Sequence, residues 1–270
     1  MRPTFSFLGM EIDSYLFMMV VGILLSFITI LINNRCNKAY RLPLSDLFFL
    51  AIFILFGVLL GARFLFFLTM IPNMHSFQDV VKYAFKESGL VFYGGVIGGL
   101  LMGLLYVKLY GTDIQKVSDL FFSAIPIGHA IGRIGCYLAG CCYGRLVDAK
   151  HGVHFVTLEA GQYALPVQLY ETYFLFAFFA LLMILTYALP KRRPYFLSGI
   201  YFVGYGVWRF VIEFFRGDEI RGVALLSTSQ WISIVIVILG LVLLFGRMER
   251  FSFFQKKKGW IYRKKTKEEK

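Results

Sequence analysis

Seven residues of this chain carry a charge or a titratable ring within stretches that are otherwise apolar: Arg63, His129, Arg133, Glu171, Arg209, Glu213 and Arg216. In a bilayer such residues are costly, so each marks a site unless it reaches an interface or pairs off. Each also has a plain reading. Arg63 can reach outer headgroups, Arg209 with Glu213 can be a structural pair four residues apart on a helix, and His129 can be a packed imidazole bonded to a backbone carbonyl. Arginines outnumbering carboxylates suit a phosphate-bearing ligand, because guanidinium meets phosphate oxygens with two parallel hydrogen bonds. In a membrane the obvious phosphate is a lipid headgroup. The four cysteines are Cys36, Cys136, Cys141 and Cys142. The spacing C-x4-C-C is not a standard zinc or haem pattern, which leaves buried structural thiols, a disulfide on the outer face or a reactive thiol.

The elements that must hold these groups are apolar helices. Of 270 residues, 58% are hydrophobic and only 16% charged, with a mean hydropathy of +0.69. A soluble domain carries about a quarter charged residues, and here the apolar residues form long runs, so the composition excludes an ordinary cytosolic domain. Seven runs read as spanning helices: 15–32, 47–71, 90–110, a shorter and more polar 120–138, 172–189, 196–215 and 231–245. The expected fold is an all-α polytopic integral membrane protein. Glycines four apart, as in Gly57 and Gly61, Gly95, Gly99 and Gly103, or Gly128 and Gly132, let helix backbones meet and carry no chemistry. Glu11 and Asp13 precede the first run with no small-residue cleavage site after it, so that helix is expected to be retained.

Loop charges orient the spans. Arg35, Lys38 and Arg41 follow the first, Lys191, Arg192 and Arg193 follow the fifth, and both loops are therefore expected in the cytoplasm. That puts the N-terminus outside and the C-terminus inside. Arg63, Arg133, Arg209, Glu213 and Arg216 then fall toward the outer ends of their helices, with Tyr93 and Glu171 opening the third and fifth spans on the same side. The chain has 28 basic and 16 acidic residues, and from Arg247 to Lys270 ten basic residues face three acidic ones. The expected organisation is a membrane domain over 1–246 and a basic cytoplasmic tail over 247–270 beside anionic lipid; nothing suggests nucleic-acid binding.

The motifs resemble a family. Residues 132–145, G-R-I-G-C-Y-L-A-G-C-C-Y-G-R, are similar to the signature of bacterial prolipoprotein diacylglyceryl transferases, roughly G-R-x-G-N-F-x-N-x-E-x-x-G-R. F-Y-G-G from Phe92 resembles the family's F-H-G-G, P-V-Q-L-Y-E from Pro166 its H-P-S-Q-L-Y-E, and R-F-V-I-E-F-F-R from Arg209 its R-x-x-x-E-F-F-R, while Gly61-Ala62-Arg63 resembles its G-x-R. The resemblance implies a multi-pass enzyme of the cytoplasmic membrane. Such an enzyme moves the diacylglyceryl group of phosphatidylglycerol to the lipobox cysteine thiol of a preprolipoprotein and releases glycerol 1-phosphate. It implies no metal and no organic cofactor. By position, Arg133 and Arg209 are the phosphate-side electrophiles and Glu213 orients Arg209. Arg63, Gly94, Gly95, Cys136, Cys141, Gly144, Gln168, Tyr170, Glu171 and Arg216 contact or line the substrate, with Gly144 allowing close backbone approach.

Departures fall on the thiol-activating half. The family histidine is Tyr93 here, a phenol and so a poorer base near neutral pH than an imidazole. The family asparagine is Cys136, its acidic residue is Cys141, and its second histidine is Leu165. Tyr93 itself, or His129 one turn before Arg133 as a replacement base, is the catalytic candidate near the thiol proton. Two further readings follow: a divergent paralogue that uses phosphatidylglycerol with another acceptor, and a non-catalytic lipid-binding or thiol-redox membrane protein built on Cys136, Cys141 and Cys142. Loss of Arg133 would abolish function under the transferase and paralogue readings, whereas loss of Cys141 with Cys142 would matter most under the third.

Overall fold

The computed structural model describes residues 3–7, 10–74, 76, 78–79, 83, 89, 91–189, 192–217, 222–223 and 226–246. Among them are seven α-helices: α1 (Ser14–Cys36), α2 (Leu44–Met70), α3 (Phe92–Tyr110), α4 (Ile114–Ala139), α5 (Val167–Ala188), α6 (Phe196–Ile212) and α7 (Thr228–Phe245). Three short antiparallel hairpins, β1–β2 (Thr4–Phe7, Met10–Asp13), β3–β4 (Leu146–Val147, Tyr163–Ala164) and β5–β6 (Gly222–Val223, Leu226–Ser227), accompany the helices. The apolar runs foresaw each of these seven α-helices, and none of the hairpins.

Five helices, α1, α2, α3 from Tyr93, α5 and α7, are long and apolar enough to cross a bilayer. Their outward faces leave large side chains such as Leu24, Leu59, Ile184 and Phe245 more than half exposed. Apolar surface on that scale needs a lipid or protein partner. The other two helices fall short of that standard, α4 through its polar groups and α6 through its length. α4 holds Asp119, His129, Arg133 and an internal Pro126, and α6 has 17 residues before a 3-10 turn takes over at Glu213–Phe215. α5 begins at Val167, five residues before the expected Thr172, because Gln168 and Glu171 enter the helix fully buried, Gln168 through Nε2 on the Cys141 carbonyl and Glu171 on Arg133. The basic segment 247–270 lies outside the described residues.

The chain divides into two compact units. In the first (residues 3–41 and 115–246 of those described), α1 crosses α4 where Gly22 meets Gly128; a Cβ on Gly22 would fall 2.7 Å from the Gly128 carbonyl oxygen. A buried cluster of Phe178 and Leu182 from α5 with Leu197 and Tyr201 from α6 is covered by Phe122 and Ile125 of α4. Phe174 stacks on Trp208 with ring centroids 4.3 Å apart, which fixes the axial register of α5 against α6. α7 closes on α6 at Gly199 and Gly240. It begins with a capping box in which Ser227 Oγ accepts from the Gln230 N–H and Gln230 Oε1 accepts from the Ser227 N–H, satisfying two otherwise orphaned donors.

Asp119, Arg192, Ser198 and Tyr40 clamp the other end of α4, α5 and α6. Asp119 accepts from the Ser198 N–H at 3.0 Å and Oγ at 2.8 Å, Arg192 Nε lies 3.8 Å from Asp119, and Arg192 also donates to the Thr186 carbonyl and the Tyr40 hydroxyl. Burial pushes the Tyr40 phenol well above its ordinary range despite the Arg192 charge, so it stays protonated.

The second unit pairs α2 with α3. Gly57 and Gly61 lie directly against Gly94 and Gly98, and a Cβ on Gly61 would sit 2.2 Å from the Gly94 carbonyl oxygen. Here the helices touch backbone to backbone. Gly61→Ala is therefore expected to cost about 1–3 kcal/mol, seen as a lower thermal unfolding midpoint in detergent. Gly103→Ala, whose Cβ would meet only the Ile54 side chain at 3.3 Å, should leave the midpoint nearly unchanged.

Candidate active site

Helical periodicity assembles the site. His129 and Arg133 are four residues apart on α4, and Tyr205, Arg209 and Glu213 descend one stripe of α6 and its 3-10 extension. Side chains at that spacing share a helix face. Between the two stripes stands Glu171 of α5, only 1% exposed. Arg133 meets it twice, through Nε at 2.9 Å from Oε2 and through Nη2, which donates to Oε1 at 3.1 Å. His129 Nε2 is 3.4 Å from Oε1, and the Tyr205 hydroxyl donates to that oxygen at 3.4 Å. A carboxylate this deep is retained only when charged and polar partners replace its water. His129 therefore faces a carboxylate and the Tyr205 ring, with centroids 5.2 Å apart, rather than the backbone carbonyl that packing alone would supply.

Arg209 and Glu213 form the expected pair, with Nη2 2.7 Å from Oε2. It is built into a wider network: Arg209 Nη2 also donates to Ser229 Oγ at 3.0 Å, and the Ser227 hydroxyl donates to Glu213 Oε1 at 3.0 Å. Arg209 Nη1 is buried and makes no hydrogen bond among the described residues. The Arg209 charge also acts on His129 and Tyr205, so the two clusters form one electrostatic site.

Above it runs the 140–146 loop. The Gly144 N–H donates to the Leu165 carbonyl at 2.8 Å, Gly144 bridges to Arg216, and the Arg145 N–H donates to the Phe215 carbonyl at 3.0 Å. A Cβ on Gly144 would lie 2.4 Å from both the Phe215 carbonyl oxygen and Val167 Cγ2. Glycine is thus needed so that this strand can pass between 165–167 and 215–216. Gln168, 1% exposed, donates to the Cys141 carbonyl at 2.7 Å. The sulfurs of Cys136, Cys141 and Cys142 come together within 4.8 Å of one another. Hydrogen bonds from the Cys136 and Cys141 thiols, helped by Arg133 and Arg216, pull the exposed Cys142 thiol below the usual thiol range. A shallow cavity of about 640 Å³ opens beside this loop, lined by Arg145, Leu146, Val147, Asp148, His151 and Leu165.

The first unit thus contains His129, Arg133, Cys136, Cys141, Gly144, Gln168, Tyr170, Glu171, Arg209, Glu213 and Arg216. Tyr170 is exposed on the first turn of α5. Arg63, Tyr93, Gly94 and Gly95 belong to the second unit. There Arg63 donates to the Gly89 and Tyr83 carbonyls, Gly94 and Gly95 are buried against α2, and Tyr93 is 39% exposed. Sequence reasoning missed Tyr205, whose signal was its position four residues before Arg209. It also missed the Asp119–Arg192 pair.

A family model described as prolipoprotein diacylglyceryl transferase matches residues 3–246. The chain is 34% identical over 247 residues to a phosphatidylglycerol–prolipoprotein diacylglyceryl transferase of Clostridium tetani, covering 89% of this chain and 96% of that protein. It is 32% identical to a second of that name in Clostridium perfringens, covering 87% and 91%, and 30% identical to one in Rickettsia rickettsii, covering 87% and 92%.

Glu171→Gln keeps the shape of the hub and removes its charge. Because it leaves Arg133 without its counter-ion, the loss should reach about 3–5 kcal/mol. In a double-mutant cycle with Arg133→Met the two losses should fall short of additivity by about 1 kcal/mol or more, measured by thermal unfolding in detergent.

Proposed function

This chain belongs to the prolipoprotein diacylglyceryl transferase family, and on that premise we propose that it moves the diacylglyceryl group of phosphatidylglycerol to the lipobox cysteine thiol of a preprolipoprotein. The observation that carries the reading is the paired setting of Arg133 and Arg209. Each guanidinium is held by its own carboxylate, Glu171 or Glu213. Fixed cations of this kind bind a phosphodiester and stabilise the charge that grows on it as it leaves.

In the reaction, the acceptor thiol loses its proton, and its sulfur attacks the glyceryl carbon that bears the phosphate. The carbon–oxygen bond breaks, a thioether forms, and glycerol 1-phosphate departs with the bonding electrons. Arg209, with its buried Nη1 uncommitted, meets the phosphate, and Arg133 adds positive potential. His129 is the base: its ring is 24% exposed and its Nε2 is 3.4 Å from Glu171, so the carboxylate stabilises the imidazolium formed when the proton arrives. Tyr93 stands at the family's histidine position, 39% exposed in the second unit, and is the alternative to His129 for the group near the thiol proton.

The proposed topology has seven spans in the cytoplasmic membrane, the five more apolar helices together with α4 and α6. The N-terminus is outside, residues 247–270 are cytoplasmic, and the reaction takes place at the outer face. Arg35 in the last turn of α1, Lys38 and Arg41 after it, and Arg192 and Arg193 after α5 support this orientation.

Purified protein in detergent, incubated with phosphatidylglycerol and a lipobox peptide, should add a diacylglyceryl mass to the peptide thiol. Arg209→Ala and Arg133→Ala should each reduce the rate by about 10²-fold or more. His129→Gln should lower kcat by a similar factor with KM kept, and Tyr93→Phe should stay within a few-fold; the opposite pattern would move the base to Tyr93. Bound phosphatidylglycerol with no peptide product would redirect the fold to a different acceptor.

A further inference from the structure

The C-terminus of α4 brings the cysteines together by a backbone device. Gly140 is left-handed, with φ 74°, its N–H donates to the Tyr137 carbonyl at 3.2 Å, and the Cys141 N–H reaches back to the Cys136 carbonyl at 3.1 Å. These two bonds are the Schellman pattern, which sets the side chain three residues before the cap against the one two residues after it. An apolar pair ordinarily fills those positions. In this chain both are thiols, Cys136 and Cys141.

Cys142 follows with φ 62°, a left-handed conformation uncommon outside glycine and asparagine. Held there, it brings its sulfur to the other two, and all three lie within 4.8 Å of one another. Burial is graded from Cys136, only 7% exposed, through the half-buried Cys141 to the exposed Cys142. The cluster therefore has a closed floor and an open mouth.

We propose that Cys136, Cys141 and Cys142 form a three-thiolate site for a soft d10 metal ion of the Zn(II), Cd(II) or Cu(I) class. Zinc–sulfur bonds of about 2.3 Å place sulfurs about 3.8 Å apart in a tetrahedral site, so the ion needs the cluster to contract by no more than about 1 Å. Thiolate ligands select soft ions over magnesium or calcium. Three thiolates around a divalent ion leave one negative charge, and Arg133, three residues before Cys136, with Arg216, supplies the compensating field. Gln168 is the outer support, its Nε2 fixing the Cys141 carbonyl at 2.7 Å and so holding the turn that carries two of the ligands. Binding exchanges thiol protons for the ion without any change of oxidation state. The site is independent of the transferase reading.

The test uses the full chain in detergent, reduced with a phosphine, freed of metal with a chelator and titrated with Cd(II). One equivalent should bind with thiolate-to-cadmium charge-transfer absorption, and the band should likewise grow when Cd(II) displaces Zn(II) bound beforehand. Cys136→Ser, Cys141→Ser and Cys142→Ser should each weaken cadmium binding at least tenfold while the metal-free circular dichroism and unfolding midpoint stay as in the parent, and Cys36→Ser should leave binding unchanged. Where one serine variant fails to fold, the other two decide. Absence of the absorption band, its persistence in the Cys141→Ser/Cys142→Ser double variant, or thiol counting that finds two of the three locked as a disulfide under phosphine would overturn the proposal.

Discussion

A single buried carboxylate organises the first unit. Glu171 sits almost wholly out of water and is satisfied only by groups from two other helices, Arg133 and His129 on α4 and Tyr205 on α6. Burying an ionised carboxylate without such partners is prohibitive, and breaking one partnership exposes the full cost. The three helices must therefore hold one axial register. The apolar layer below enforces the same register with Phe174 on Trp208 and Phe178, Leu182, Leu197 and Tyr201 in mutual contact. Electrostatics specifies the arrangement, and packing supplies most of the stability that keeps it.

The same three elements are tied again at their far ends, where Asp119 of α4 holds Ser198 at the start of α6 and Arg192 just beyond α5. Two polar clamps with an apolar middle suit a segment whose ends meet headgroups and whose centre meets lipid tails. Between the clamps, helix termini do most of the functional work. The residue that caps α7, Ser227, also donates to Glu213, so the start of one helix steadies the ion pair at the end of another. Gly144 lets the loop after α4 pass under the segment after α6 with no room for a side chain. Little of this involves long-range coupling; each contact is an end effect of a neighbouring helix.

The helices were legible because a bilayer demands continuous apolar runs, and a run long enough to span announces itself. What stayed hidden obeyed other rules. The apolar run places the start of α5 at Thr172 with Glu171 opening it, whereas Gln168 is also helical core because its Nε2 holds the Cys141 carbonyl in the loop after α4. Arg192 was counted as a loop charge that sets topology, and its second role with Asp119 depends on contacts between residues distant in sequence. Tyr205 was lost among aromatic neighbours, although the four-residue interval through Arg209 to Glu213 marked the stripe. The spacing C-x4-C-C matched no zinc pattern because the usual patterns describe knuckles and helices. A Schellman turn closes this interval, and the glycine between the cysteines was its sign.

The two arginine pairs differ in construction, and the difference assigns them different parts in the proposed transfer. Arg133 with Glu171 joins two helices, has its carboxylate almost wholly buried, and spends two nitrogens on it. Moving it toward a phosphate would strip Glu171 of its main counter-ion, so it contributes chiefly as a fixed charge. Arg209 with Glu213 is a local pair one turn apart, held by Nη2 while Nη1 stays unbonded among the described residues. A guanidinium anchored on one side with an uncommitted nitrogen on the other is prepared to accept a phosphate oxygen without giving up its carboxylate, and the ordering cost is met when the chain folds rather than when the lipid arrives. In the proposed transfer Arg209 is therefore the contact for the leaving phosphate, and Arg133, bound into the hub with His129, stands beside the group that accepts the thiol proton.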